Sequence, residues 1–185
     1  MLEIIIQGMG LDSRNYQPLV ILKEKAGERY LPIWIGSSEA DAISIKLQGT
    51  TAPRPLSHDL IWSVIRSLGA SIESIVINEI RDDTFYSKIF LNTAEGQLDI
   101  DSRPSDALAL ALRAEVPIFI EDKVLDTAGV LIDKETISTS HEQASEEKGV
   151  SEDEFGTPSA FADFVNTLDM DNLGENRQKE NEDRA

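Results

Sequence analysis

The sequence predicts an α+β fold: a mixed, mostly antiparallel sheet with helices packed on it, followed by a flexible acidic C-terminal tail. Three observations carry this. Short alternating apolar segments come in two groups, one before and one after a pair of helical segments, rather than in strict strand–helix alternation. One nearly all-apolar stretch, Ala107 to Ala114, reads as a buried helix. Composition then shifts near Ser138 from mixed apolar to Ser, Glu, Lys, Gly and Asp.

Leu2 to Met9 reads as a strand that ends at Gly8 and Gly10. Leu19–Lys23 and Tyr30–Ile35 are two more strands, joined by a hairpin turn over residues 24–28. Pro32 points to an edge position or a strand start. Gly36 opens a helix with Ser37 or Ser38 as its cap, and Ala40, Ile43 and Leu47 share one face. Gly49 closes it, and Pro53 and Pro55 stiffen the following loop. Ser57 is expected to cap the next helix, whose apolar stripe is Leu60, Ile61, Val64, Ile65 and Leu68, with Gly69 as its stop.

A three-strand meander follows over about 71–80, 84–91 and 97–100, with turns at 81–83 and 93–96. Leu98 and Ile100 alternate as in a half-buried strand. The chain then turns straight into the buried helix. Pro104 suits its first turn, Ser102 or Arg103 its N-cap, and Ser105 and Asp106 its positive end. Pro117–Glu121 is a further strand, and Val124–Ile132 one more short element. Residues 1–137 are thus expected to form one domain. Residues 138–185 are expected to be a largely disordered tail, interrupted by a short amphipathic helix near 159–173 that carries Phe161, Phe164, Val165 and Leu168.

The 185 residues carry 34 acidic and 17 basic side chains, a net charge of −17. Residues 138–185 hold 13 of the acids and only 4 of the bases. Such a balance argues against a broad polyanion-binding surface. With no cysteine, disulfides, thiolate metal sites and cysteine nucleophiles are excluded. No basic segment precedes the short apolar run Ile4–Ile6, so no signal peptide is expected. No run approaches the roughly 20 apolar residues of a membrane span, and a cytoplasmic protein is expected.

The polar residues with chemical potential gather at three helix starts: Glu39, His58 with Asp59, and Asp101 through Asp106. If the helices lie side by side, these starts meet on one rim. Carboxylates beside a histidine suit a divalent cation and a general base. Arg54 or Arg103 would hold a phosphate. Each residue also has a plainer role: Glu39 and Asp59 in helix electrostatics, His58 as a cap residue packed on Pro55, and Arg103 with Asp106 as a structural ion pair. Gly8-Met-Gly10 and Gly36-Ser-Ser lack the spacing of phosphate loops. Trp34 and Trp62 read as core or interface residues, and His141 as solvated.

Leu31-Pro-Ile-Trp-Ile-Gly-Ser-Ser-Glu-Ala40, Pro53-Arg-Pro-Leu-Ser-His-Asp-Leu60, and Asp101-Ser-Arg-Pro-Ser-Asp-Ala-Leu-Ala-Leu-Ala-Leu-Arg113 with Pro117-Ile-Phe119 stand in this order. Together they resemble the bifunctional nuclease domain family over roughly residues 1–135. Ser57 departs mildly, since threonine is commoner there. The tail lacks the UVR-type helical module of some relatives, so that partner-binding role is not carried over. The resemblance implies a compact α+β domain, frequently oligomeric, that cleaves DNA and RNA. On it, His58, Asp59, Arg103 and Asp106 are the expected catalytic residues. Arg54, Arg103 and Ser105 would bind substrate. Glu39, Asp59 and Asp101 would hold a divalent cation, Mg²⁺ or Mn²⁺. The alternative is a non-catalytic regulatory or assembly domain, with a structural polar network at its helix N-termini. A homo-oligomer is expected, because Ile33 and Trp34 beside Pro32 are too apolar for a free edge.

Overall fold

The computed structural model describes residues 1–12 and 15–131. They form eight strands and four helices: β1 (Leu2–Leu11), β2 (Pro18–Glu24), β3 (Arg29–Trp34), α1 (Ser37–Leu47), α2 (Ser57–Ser67), β4 (Ser71–Arg81), β5 (Thr84–Thr93), β6 (Gly96–Ser102), α3 (Pro104–Ala114), β7 (Ile118–Ile120), α4 (Asp122–Ala128) and β8 (Val130–Leu131). Residues 1–129 make one compact unit and 130–185 a second, of which β8 is the described part. The tail expected over 138–185, its helix near 159–173 and His141 lie outside the described residues. Among those residues, no helix is long and apolar enough to cross a membrane.

The sheet of the first unit runs β6-β5-β4-β7-β1-β2-β3. Two antiparallel meanders, β1-β2-β3 and β4-β5-β6, are joined by the three residues of β7. β7 runs antiparallel to β1 and parallel to β4. That parallel pairing needs a crossover, and α3 supplies it. The β4–β5 hairpin turns through Asp82 and Asp83, at φ 50° and 56°. This is the left-handed pair that a tight two-residue hairpin requires.

The helix–sheet core follows from strand alternation. Val20, Leu22, Ile75, Ile77, Ile89 and Leu91 turn one face toward Ile43 of α1 and Ala107–Ala111 of α3. α3 is buried along nearly its whole length and packs against both α1 and α2. Val124 and Leu125 of α4 complete the cluster. Residues 122–128, which include the start of the last expected short element, are therefore helical.

Four local expectations change. Gly36 is the N-cap residue of α1, and neither Ser37 nor Ser38 caps it. Ser57 is already helical and Leu56 is the N-cap residue of α2. Asp59 reaches back to the Leu56 N–H at 2.8 Å and does the capping from inside the helix. Leu98 and Ile100 are exposed, at 52% and 41%, although they stand beside the buried Leu91 and Ile89. β6 is the edge strand at one end of the sheet. The largest change is in α2. Its expected stripe faces water at Leu60, Ile61, Val64 and Leu68, the last 80% exposed. His58 is buried, while Trp62 and Ile65 are half-buried against the core. The rotation of α2 is set by what His58 and Asp59 bind.

Candidate functional site

The starts of α1, α2 and α3 are linked by one chain of hydrogen bonds. Arg103, the N-cap residue of α3, has an extended backbone, φ −71° and ψ 145°. Pro104 after it requires that conformation. The Arg103 side chain lies across the helix mouth. Nε donates to Asp106 Oδ2 at 2.7 Å and Nη2 to Oδ1 at 3.1 Å, a two-pronged grip. The same Nη2 donates to Glu39 Oε1 at 2.9 Å, tying α1 to α3. Glu39 sits close because Gly36 has no side chain: a Cβ there would collide with the Glu39 carboxylate.

His58 enters from α2. Its Nε2 is 3.0 Å from Asp106 Oδ1. Burial works against charge on Asp106, but the Arg103 and His58 hydrogen bonds outweigh it and hold the carboxyl below its ordinary range. An ionised carboxylate can only accept. His58 therefore donates from Nε2, and in the neutral ring this leaves Nδ1 as the basic nitrogen. Residues from three helices thus form one unit, Glu39–Arg103–Asp106–His58. The histidine is 7% exposed and the arginine side chain 66%.

Asp59 belongs to a second link. Arg113, at the far end of α3, donates from Nε to Asp59 Oδ1 at 2.6 Å and from Nη1 to the carbonyls of Ala109 (2.8 Å) and Ala42 (3.2 Å). Burial again opposes charge on Asp59, and the Leu56 N–H and Arg113 overcome it, so its carboxyl is also held low. Sequence reasoning missed Arg113 as a site residue. Its only signal is a cation within the otherwise apolar run Ala107–Ala114, facing a lone acid in the first turn of another helix.

The remaining expected residues lie elsewhere. Asp101 alternates with Ile100, whose cross-strand neighbour Ile89 is core. Asp101 thus points to the helix-free face, opposite Lys88, and cannot join Glu39. Ser105 is buried in the first turn of α3 rather than presented to a substrate. Arg54 is exposed in the loop before α2. Glu39, Asp59 and Asp101 therefore occupy three separate surroundings and do not fit a shared ion site. Among the described residues, no group of three or more His, Asp or Glu side chains is placed to hold a metal. Ile33 is core and Trp34 is 40% exposed, donating to Asp12 Oδ2 at 3.3 Å.

The residues of this network lie within the region of the chain that matches a known family. The model of the bifunctional nuclease domain matches residues 20–133, which include all four network residues and the Arg113–Asp59 pair. The chain belongs to the bifunctional nuclease domain family. A Mycobacterium tuberculosis protein named only as uncharacterized is 40% identical over 168 residues, 91% of this chain and 97% of that protein. Bifunctional nuclease 1 of Oryza sativa subsp. japonica is 25% identical over 133 residues, 70% of this chain and 40% of that protein. Bifunctional nuclease 1 of Arabidopsis thaliana is 22% identical over 138 residues, 72% and 42% of the two chains. The similarity thus spans under half the length of these plant nucleases.

Proposed function

We propose that this bifunctional nuclease domain hydrolyses phosphodiesters in DNA and RNA with little sequence specificity, using the His58–Asp106–Arg103 unit. The observation that carries the reading is the 3.0 Å contact between His58 Nε2 and Asp106 Oδ1, beside the two-pronged Arg103 grip that favours an ionised carboxyl; it supports a ring that donates from Nε2 and accepts at Nδ1. In this reading Nδ1 takes a proton from the water whose oxygen bonds to phosphorus, and Asp106 steadies the imidazolium that forms. The P–O bond to the departing sugar oxygen breaks, that oxygen takes up a proton from solvent, and the imidazolium later returns its own to water. Arg103 anchors a phosphate oxygen. Its Nε and Nη2 are engaged, but Nη1 makes no bond to the network and the side chain is largely in water. Arg54 is a second cation for the strand. Contacts to the sugar–phosphate backbone carry no base information, which fits low specificity. Mg²⁺ commonly uses one or two carboxylates plus substrate phosphates. A divalent cation, Mg²⁺ or Mn²⁺, is therefore proposed to arrive with nucleic acid rather than to reside in a protein cage.

One observation favours a second reading, a non-catalytic regulatory or assembly domain. Arg103 is already gripped by two carboxylates, so the network closes on itself and locks three helices. The deciding assay uses purified protein on single- and double-stranded DNA and RNA, with Mg²⁺, Mn²⁺ or EDTA. Cleavage should fall at least about 100-fold in Asp106→Ala, the range expected for loss of acid–base catalysis, while circular dichroism shows the variant folded. No cleavage by the wild type, or full cleavage by the folded variant, leaves the second reading.

Self-association belongs to the same proposal. Leu60, Ile61, Val64 and Leu68 form an apolar stripe on α2 that a monomer leaves in water. Sedimentation at micromolar concentration should show a species larger than 20.5 kDa. Val64→Glu with Leu68→Glu should return it to one chain. A wild-type protein that sediments only as a monomer ends this part of the proposal.

A further inference from the structure

α2 carries a second feature, two turns beyond His58. Trp62 and Arg66 follow His58 at i+4 and i+8, so the three side chains run along one side of the helix in steps of about 6 Å. Arg66 lies over the Trp62 ring, its guanidinium carbon 4.9 Å from the centroid. The two line a cleft of about 390 Å³ with Gly69, Ala70, Ile72 and Ala114, between the end of α2, the start of β4 and the end of α3.

The stretch that supplies most of this cleft runs against the charge of the rest of the chain, with one acid, Glu115, next to the lining Ala114. From Gly49 to Ile72 there are two arginines, Arg54 and Arg66, and one acid, Asp59. Asp59 is consumed by Arg113. The next acid, Glu73, is held by Gln97. Among the described residues no carboxylate pairs with Arg66. In a chain of net charge −17, this is a planar cation backed by an aromatic ring, with no anion bound to it among those residues.

A flat guanidinium on an indole is a stacking platform for a base and a partner for a phosphate. We propose that the Trp62–Arg66 cleft is a subsite for single-stranded nucleic acid: a base stacks on the Arg66–Trp62 pair and an adjoining phosphate meets Arg66. The side-chain step of about 6 Å along α2 is close to one nucleotide of an extended strand. Two such steps separate Arg66 from His58, so a strand held at Arg66 can run back along α2 toward the helix starts. The proposal rests on the nuclease reading for its purpose, but its binding is measurable without turnover.

Trp34→Phe leaves Trp62 as the only tryptophan. In EDTA and low salt, this protein is titrated with a ten-nucleotide oligothymidylate. Trp62 fluorescence should be quenched to saturation, and the affinity should fall as salt rises. Arg66→Gln in the same background should weaken binding about tenfold or more, within the range for loss of one stacked base. Anisotropy of a labelled oligothymidylate with wild type and Arg66→Gln gives the same comparison without the Trp34 change. Absence of quenching, or equal affinity of the two proteins, overturns the subsite. If cleavage is seen while Arg66→Gln changes neither affinity nor KM, the subsite falls and the nuclease reading stands. Binding lost with Arg66, in a protein that cleaves nothing, leaves the subsite standing and removes the nuclease reading.

Discussion

Two arginines of α3 do the same chemistry in opposite surroundings. Arg103 opens the helix and Arg113 closes it, and each grips an aspartate that also serves α2: Asp106 holds His58, and Asp59 caps the helix from within. The Arg103 side chain is 66% exposed and that of Arg113 4%. At the closed end the guanidinium also takes two backbone carbonyls, one on α1 and one on its own helix. A cation so buried is kept only when its donors are satisfied, and removing its partners is costly. At the open end, one donor edge of the guanidinium is left toward water. The difference teaches that one ion-pair motif is locked into the helix layer where it is dry and stays hydrated where it is wet. The two ends also explain the rotation of α2. With His58 and Asp59 both drawn to α3, the apolar stripe expected to face the core is turned outward.

The largest effect should come from breaking the dry end. Arg113→Met removes a buried cation and leaves Asp59 and the Ala42 carbonyl without it. Breaking a buried pair typically costs about 3–5 kcal/mol. Asp59 is over a third exposed, so solvent screening places this case at about 3 kcal/mol. The mirror change, Arg103→Gln, should cost under about 1 kcal/mol, since the group is mostly hydrated. It should raise the KM for nucleic acid much more than it lowers stability. Urea midpoints of both variants give the comparison. Equal destabilisation by the two changes would erase the distinction between a buried, locking arginine and a hydrated one.

The contrast also marks what a sequence can disclose here. The strands, the helix starts and the buried character of α3 follow from local patterns: alternation, Pro104 at N1, Gly69 after α2, and an Ala–Leu run too apolar for a surface. Three of the helix-start residues, Glu39, Arg103 and Asp106, and His58 beside them, meet as their positions suggested. Two things were not local. The face of α2 that turns inward depends on Arg113, 54 residues from Asp59, and periodicity alone favoured Leu60, Val64 and Leu68. The fate of Asp101 depends on strand parity. It stands two residues before Arg103, yet β6 sends it to the other face of the sheet, so nearness in sequence misplaced it as a ligand beside Glu39. Leu98 and Ile100 alternate correctly but belong to an edge strand, a fact of topology rather than of pattern.

The smallest effect, and the one that tests the wet end most directly, is in acid. Asp106 and Asp59 both ionise below the ordinary carboxylate range, in each case against burial. Arg103 and His58 hold Asp106 there, and the Leu56 N–H and Arg113 hold Asp59. A carboxyl whose folded value is depressed stabilises the fold fully above its unfolded value, about 4. That contribution is lost as pH falls through the folded value. Unfolding free energy should therefore hold between about pH 5 and pH 7 as far as these groups are concerned, then decline below about pH 4. Asp106→Asn cannot bind or release this proton. Its stability should lie below the wild type at neutral pH, and the gap should narrow as pH drops below about 4. Urea titrations at half-unit pH steps read the gap directly. If the two curves stay parallel down to the acid transition, Asp106 is not held ionised by its partners, and the assignment of His58 Nε2 as the donor falls with it.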